Sequence, residues 1–270
     1  MKDNGLTVRP REGRKERIVR WLRRLHFFLF FKRRPAEGEY CNSKLIGAIE
    51  HQHERQGTPG KRPFLVMVRA GSNHRISGIH ADRNFDLALN HYAQPAKELV
   101  FDYRYSGGLS KLTAARQFFA STGVTTYQGY MFMDDDLVVS CDDLCAFLEH
   151  CRSRDIALAQ PSLSPDSFFS IPDLLHQPSG NDRETAMVEV MMPYMSVATL
   201  STLLPTFDQS ISSWGIDCVW PSLINSPPLV IDSFQVRHAN PVGAGAFYHY
   251  LHGIGISPVE EMETLIKRYS

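Results

Sequence analysis

A chain of 270 residues that is 43% apolar and 11% aromatic can bury a full hydrophobic core, which excludes a disordered or low-complexity protein. Lys plus Arg and Asp plus Glu each total 29, so the formal net charge is zero and no chain-wide attraction to nucleic acid is expected. The five cysteines are Cys41, Cys141, Cys145, Cys151 and Cys218; their odd number, with no cleavable signal pattern, argues against a disulfide framework and for a reducing, cytoplasmic compartment. Cys141, Cys145 and Cys151 cluster on a predicted helix without a C-x-x-C pair, and are expected to be buried or inert thiols rather than zinc ligands.

The N-terminal segment differs from the rest. Between Arg9 and Arg34 there are eleven Lys or Arg residues against Glu12 and Glu16 alone. Ile18, Trp21, Leu22, Leu25, Phe28 and Leu29 recur there at helical spacing. The apolar run is too short to cross a bilayer, which takes about 20 residues. A basic helix with a Trp/Phe/Leu face suits the headgroup region of an anionic membrane, so residues 9–34 are expected to attach the chain peripherally to the inner membrane face. Docking of that face on the protein or a partner is the structural alternative. Residues 1–56 are therefore set apart as a basic amphipathic segment and linker, and 57–270 as the catalytic domain.

Turn residues at 57–63 precede the apolar run 64–68, a predicted buried strand. Further strands are predicted at 86–90, 99–103, 130–133, 156–159, 188–192 and 229–231. Helices are predicted at 109–121, 142–153, 196–204 and 216–224. The alternation implies an α/β sandwich on a mostly parallel sheet, with no internal repeat. In such open sheets ligands bind beyond the carboxyl ends of the strands.

The strand at 130–133 runs straight into Asp134-Asp135-Asp136. Three adjacent carboxylates repel one another, and a divalent cation removes that cost. If strand geometry continues, Asp134 and Asp136 lie on one side and can reach one Mg²⁺ or Mn²⁺, whose shell is typically completed by phosphate oxygens and water. A solvated acidic turn is the competing reading. Asp142 and Asp143 are expected to cap and open the next helix. Upstream, Gly107 and Gly108 lead into a helix bearing Lys111 and Arg116, which could receive a pyrophosphate or be plain solvated charges. Downstream, Trp214-Gly215-Ile216-Asp217 offers an aromatic ring to stack on a sugar and a carboxylate to take a proton from its hydroxyl, or else a helix start with a core Trp. His238 offers a nitrogen ligand to the same metal, or an ordinary hydrogen-bonded side chain.

The segments 132–137, 159–164, 188–193, 214–217 and 230–233, with His238, resemble in order and spacing a domain-of-unknown-function family of plant and bacterial proteins regarded as glycosyltransferases. The resemblance spans residues 64–243. It implies a GT-A-like (Rossmann-like) α/β/α sandwich, with Asp134, Asp135 and Asp136 at the family's acidic motif, commonly Asp-Glu-Asp. It further implies Asp217 at the acceptor site, where it serves as base if the reaction inverts, His238 completing the metal shell, and Glu189 contacting donor sugar or acceptor, although a buried carboxylate paired with an Arg is the structural alternative for Glu189. The resulting expectation is a Mn²⁺- or Mg²⁺-dependent transferase. It would move a sugar from a nucleoside-diphosphate sugar to a glycan or lipid-linked acceptor, in bacterial surface polysaccharide synthesis. Asp134, Asp135, Lys111, Arg116, Glu189 and Trp214 would contact the donor, and Asp134, Asp136 and His238 the metal. A metal-dependent phosphohydrolase and a non-catalytic glycan-binding scaffold are the alternatives.

Overall fold

The computed structural model describes residues 53–55, 62–94, 99–123, 126–178, 180–243 and 246–270. The basic segment at 9–34 lies outside the described residues, as does most of the linker at 57–63. Among the described residues no helix is long and apolar enough to cross a membrane.

The strands are β1 (His53–Arg55), β2 (Phe64–Ala70), β3 (Ile76–Ser77), β4 (Phe85–His91), β5 (Tyr103–Ser106), β6 (Gly129–Asp134), β7 (Leu137–Ser140), β8 (Leu158–Leu163), β9 (Asp182–Glu184), β10 (Tyr194–Ser196) and β11 (Leu229–His238). The helices are α1 (Lys111–Thr122), α2 (Cys141–Ser153), α3 (Val197–Leu203), α4 (Ile216–Leu223), α5 (Ala246–Gly253) and α6 (Pro258–Tyr269). The sheet order is β1-β5-β4-β2-β6-β10-β8-β11-β7-β3, with β9 paired to β11. Strands β5, β4, β2 and β6 are mutually parallel, as are β8 and β11. Strand β10 runs antiparallel to both β6 and β8, and β1, β7 and β9 also pair antiparallel, so the sheet is mixed.

Helices cover both faces because β2 is apolar from Phe64 to Val68, with Arg69 only at its carboxyl end. Phe64, Val66 and Val68 join Leu144, Phe147 and Leu148 of α2 in one core. Leu65 and Met67 turn to the other side, where they join Leu112 and Phe118 of α1 and Trp220 of α4. The period of two in a strand makes this division unavoidable. In β6 the side chains of Tyr130, Met131, Phe132 and Met133 are all buried, and each contributes roughly 1.5–3 kcal/mol by leaving water. That burial fixes where β6 ends, and hence where the acidic triplet emerges.

The expected strands at 64–68, 86–90 and 130–133 and the helices near 109–121, 142–153, 196–204 and 216–224 are present. The strand expected at 99–103 begins only at Tyr103, as β5, that at 156–159 begins at Leu158, as β8, and that at 229–231 extends to His238, as β11. Residues 188–192 do not form a strand. There the Glu189 amide donates to the Gln160 side chain at 2.7 Å and the Met192 amide to the Glu189 carbonyl at 3.3 Å. The Met191 carbonyl accepts from the Asp134 amide of β6 at 3.0 Å, one bond and not a ladder, and the strand forms only after Pro193, as β10. Helix α2 is capped by Ser140, whose Oγ accepts from the Asp143 amide at 3.0 Å; Asp142 and Asp143 occupy its first turn rather than the cap.

Candidate functional site

The carboxyl ends of β2 and β6 open into a cleft of ≈ 740 Å³, lined also by residues 212–215, Asp217, 240–243, Phe247 and Tyr248. Because Arg69 of β2 pairs with Asp134 of β6, a cation and a carboxylate leave the sheet side by side. Lys111, the first residue of α1, is 7% exposed and its Nζ donates to Asp134 Oδ1 at 2.8 Å and to the Met191 carbonyl at 3.0 Å. Burial lowers the Lys111 pKa against the pull of Asp134. Burial raises that of Asp134, Lys111 opposes the shift, and Asp136 adds to it. The Asp134 side chain remains 41% open to the cleft, so it is confined without being sealed.

The three aspartates diverge. Asp135 Oδ2 accepts from the Gly71 amide at 2.7 Å and the Tyr92 hydroxyl at 2.9 Å, which ties the turn to the end of β2. Asp136 Oδ2 lies 3.2 Å from His238 Nε2. The His238 Nδ1 lies 2.9 Å from the Phe168 carbonyl, which can only accept, so Nδ1 carries the proton and Nε2 is the nitrogen presented to Asp136. Burial alone would raise the Asp136 pKa, but His238 and Asn240 hold it below its ordinary value. Burial would lower His238, and Asp136 reverses that to a net rise. Asp136 Oδ1 is buried and makes no hydrogen bond, an open lone pair beside an imidazole nitrogen. A carboxylate oxygen and a ring nitrogen so placed fit a divalent cation that displaces the proton Nε2 shares with Asp136. Asp134, Asp136 and His238 do not bring their donor atoms together as a close trio; among the described residues only His80, Cys141 and Cys145 do so. A hard cation that takes most of its shell from phosphate and water needs no more than one or two protein carboxylates.

The opposite wall carries two buried acids. Asp217 sits in the first turn of α4, its Oδ2 accepting from the Val190 amide at 3.2 Å and its Oδ1 from the Cys218 amide at 3.0 Å. Burial raises its pKa to about 6 despite those donors. Glu189 is 6% exposed, and burial with Asp217 nearby raises it to about 7. Its Oε2 makes no hydrogen bond. Trp214 also lines the cleft, its Nε1 donating to the Tyr248 hydroxyl at 3.1 Å.

The cleft therefore gathers Lys111, Asp134, Asp135, Asp136, Glu189, Trp214, Asp217 and His238, all named from the sequence. Arg116 is not among its lining residues and faces Asp208 instead, with 3.9 Å between Nε and Oδ2. Its place five residues into α1 turns it from the cleft mouth that Lys111 occupies. Arg69 is the cation that sequence reasoning missed. It lines the cleft, donates to the Leu109 carbonyl at 3.1 Å and rests over the Tyr92 ring at 5.4 Å. The signal was available, since Arg69 ends an apolar parallel strand as Asp134 does. Gln160, fully buried in β8, was also missed, and holds Glu189 by its backbone. Asp232, within one of the motifs that carried the resemblance, is paired with Arg183 at 2.5 Å and accepts from the Gln177 amide, outside the cleft.

No protein-family model matches the chain, and no curated protein matches it.

Proposed function

We propose that this chain is a metal-dependent glycosyltransferase of GT-A-like fold that transfers a sugar from a nucleoside-diphosphate sugar to a glycan or lipid-linked acceptor at a membrane surface. The observation that carries the reading is the cleft's two-sided chemistry. Asp134, Asp136, His238 and Arg69 lie at or just past the carboxyl ends of parallel strands with Lys111 at the start of α1 beside them, and Trp214, Asp217 and Glu189 line the same cleft. One side suits an anion held through a cation; the other suits a polyol.

On this reading Asp136 and His238, with Asp134, hold Mn²⁺ or Mg²⁺, which when bound supplies positive charge to offset that developing on a leaving diphosphate. Lys111 and Arg69 add fixed positive charge beside that place, and the Gly108–Lys111 end of α1 lines it. Trp214 gives an apolar face to a sugar ring, oriented by its bond to Tyr248. Asp217, at about 6, is ionised above neutrality and held by two amides, as a base taking a proton from an acceptor hydroxyl must be. Glu189 presents an unpaired oxygen that can hydrogen-bond a sugar hydroxyl in either protonation state.

The test is a screen of UDP-, GDP- and CMP-sugars with and without Mn²⁺, on wild type and Asp136→Ala. Mn²⁺-dependent donor binding and turnover, lost in the variant, is the expected result. A variant that binds metal and donor as wild type does would overturn the assignment. Donor breakdown equally fast without any acceptor would favour a phosphohydrolase.

A further inference from the structure

A second cluster of metal-binding groups lies outside the cleft. Cys141 begins α2 and Cys145 follows one turn later, so their side chains share a helix face. His80, from the loop between β3 and β4, closes on them, and the ring nitrogen and both sulfurs lie within 4.8 Å of one another. The loop is already held in place there. Asn84 Nδ2 donates to the Cys145 carbonyl at 2.9 Å, and Arg83 donates to the His80 carbonyl at 2.9 Å while paired with Asp102 at 2.6 Å. Asp142 supplies a carboxylate oxygen 3.0 Å from His80 Nε2, on a side chain 89% exposed and free to swing.

From this arrangement we propose that His80, Cys141 and Cys145 form a binding site for a thiophilic divalent cation of the zinc type, with Asp142 or water in the fourth position. The donor set is what separates it from the cleft: two sulfurs and an imidazole select a borderline-soft ion, whereas Asp134 and Asp136 suit a hard one. Ring nitrogen and sulfur at these separations need only small side-chain rotations to meet a common centre, at about 2.0–2.1 Å from nitrogen and 2.3 Å from sulfur. Binding displaces the two thiol protons as both sulfurs become thiolates, so uptake is pH-dependent. Burial, with Cys141 alongside, raises the Cys145 thiol to about 11, which makes proton release part of the cost of loading. Four strand residues of β7 separate this cluster from the acidic turn, so a cation here would pin the 78–84 loop to α2 and brace the strand that follows Asp136.

The test uses the reduced, metal-free full chain titrated with Co²⁺ and then Zn²⁺. One equivalent of Co²⁺ should produce a thiolate-to-cobalt charge-transfer band, which Zn²⁺ then bleaches. His80→Ala and Cys145→Ser should each weaken binding by about 100-fold or more, ligand loss costing at least as much as loss of a supporting residue. Asp136→Ala should leave the band unchanged, which keeps this site distinct from the cleft. Both His80 and Cys145 are only partly buried, and far-ultraviolet circular dichroism checks that their variants fold. Absence of the band in wild type, or its survival in both variants, would overturn the proposal.

Discussion

Asp136 and Glu189 each end in a buried oxygen without a hydrogen bond, and the two differ in what that costs. Asp136 is held ionised by His238, so its free lone pair sits on an anion and suits a cation. Asp136→Ala should cut kcat/KM by about 100-fold or more and abolish the thermal shift that Mn²⁺ with donor gives wild type, as loss of a metal-linked side chain does. A Mn²⁺-dependent shift of wild-type size in the variant would show that the ion sits elsewhere. At Glu189 burial and Asp217 outweigh the Ser170 hydrogen bond and His238, and its raised value of about 7 means that the folded chain keeps the proton where an unfolded carboxyl, near about 4.3, has lost it. Stability contributed by the protonated form is therefore present below the unfolded value, falls as pH rises between the two, and is gone above about 7. Glu189→Gln cannot titrate, so its stability relative to wild type should grow from pH 5 to pH 8 by about 2–3 kcal/mol, at ~1.4 kcal/mol per unit. Urea melts across that range measure it, and a constant difference would mean that Glu189 is ionised throughout.

Two elements position the aromatic wall of the cleft. Gly215 precedes α4 with φ 82°, and a Cβ there would stand 2.6 Å from the Met262 Cα of α6. Gly215→Ala should cost about 2–4 kcal/mol from left-handed strain and overpacking, and by moving Asp217 should lower kcat even where the chain stays folded. Glu261 of α6 is 3% exposed and accepts from Ser210 Oγ at 3.0 Å, the Ile211 amide at 2.8 Å and the Ser212 amide at 2.7 Å, bracing the loop that carries Trp214. Glu261→Gln places an amide donor against these donors and should lower stability by about 2–3 kcal/mol, read as a drop in Tm. Neither support was legible in the sequence. Glu261 looks like an ordinary first-turn acid of an exposed amphipathic helix, and its partners are about 50 residues away. Strands β2, β4 and β6 were legible because apolar runs bounded by turn residues depend on local composition alone. Asp134 and Arg69 followed from where such strands end, although only Asp134 was drawn from that rule. The segment 188–192 misled because its apolar run is as buried as a strand would be, at Val188 and Met192, while its amides at Glu189, Val190 and Met192 donate to side chains and a turn. His80 beside Cys141 and Cys145 was invisible for a simpler reason, a separation of about 60 residues with no spacing motif.

Charge is distributed unevenly over the whole molecule. Eleven Lys and Arg between positions 9 and 34 face two Glu, so with a total of zero the remainder of the chain carries nine negative charges in excess. A membrane of anionic lipid would attract the basic segment and repel the rest, which favours a definite orientation over flat adsorption. Each Lys or Arg near such a surface contributes about 1 kcal/mol, an interaction that fades over a Debye length of about 10 Å at 0.1 M salt. Full-length protein should therefore co-sediment with vesicles containing phosphatidylserine, and a chain beginning at Glu37, which lacks the basic segment but keeps β1, should stay in the supernatant. Raising the salt should release much of the full-length protein, with a remainder held by the apolar residues Trp21, Leu22, Leu25 and Phe28. Neutral vesicles separate the two contributions, because they offer the apolar interface without the charge. Equal sedimentation of the full and shortened chains would assign the attraction to the folded domain, and binding by neither would leave the basic segment to a protein partner. If the segment does hold the cleft at a surface, a lipid-linked acceptor meets the enzyme at a raised local concentration. The shortened chain should then keep its turnover on a water-soluble acceptor and lose it selectively on the same acceptor presented in vesicles.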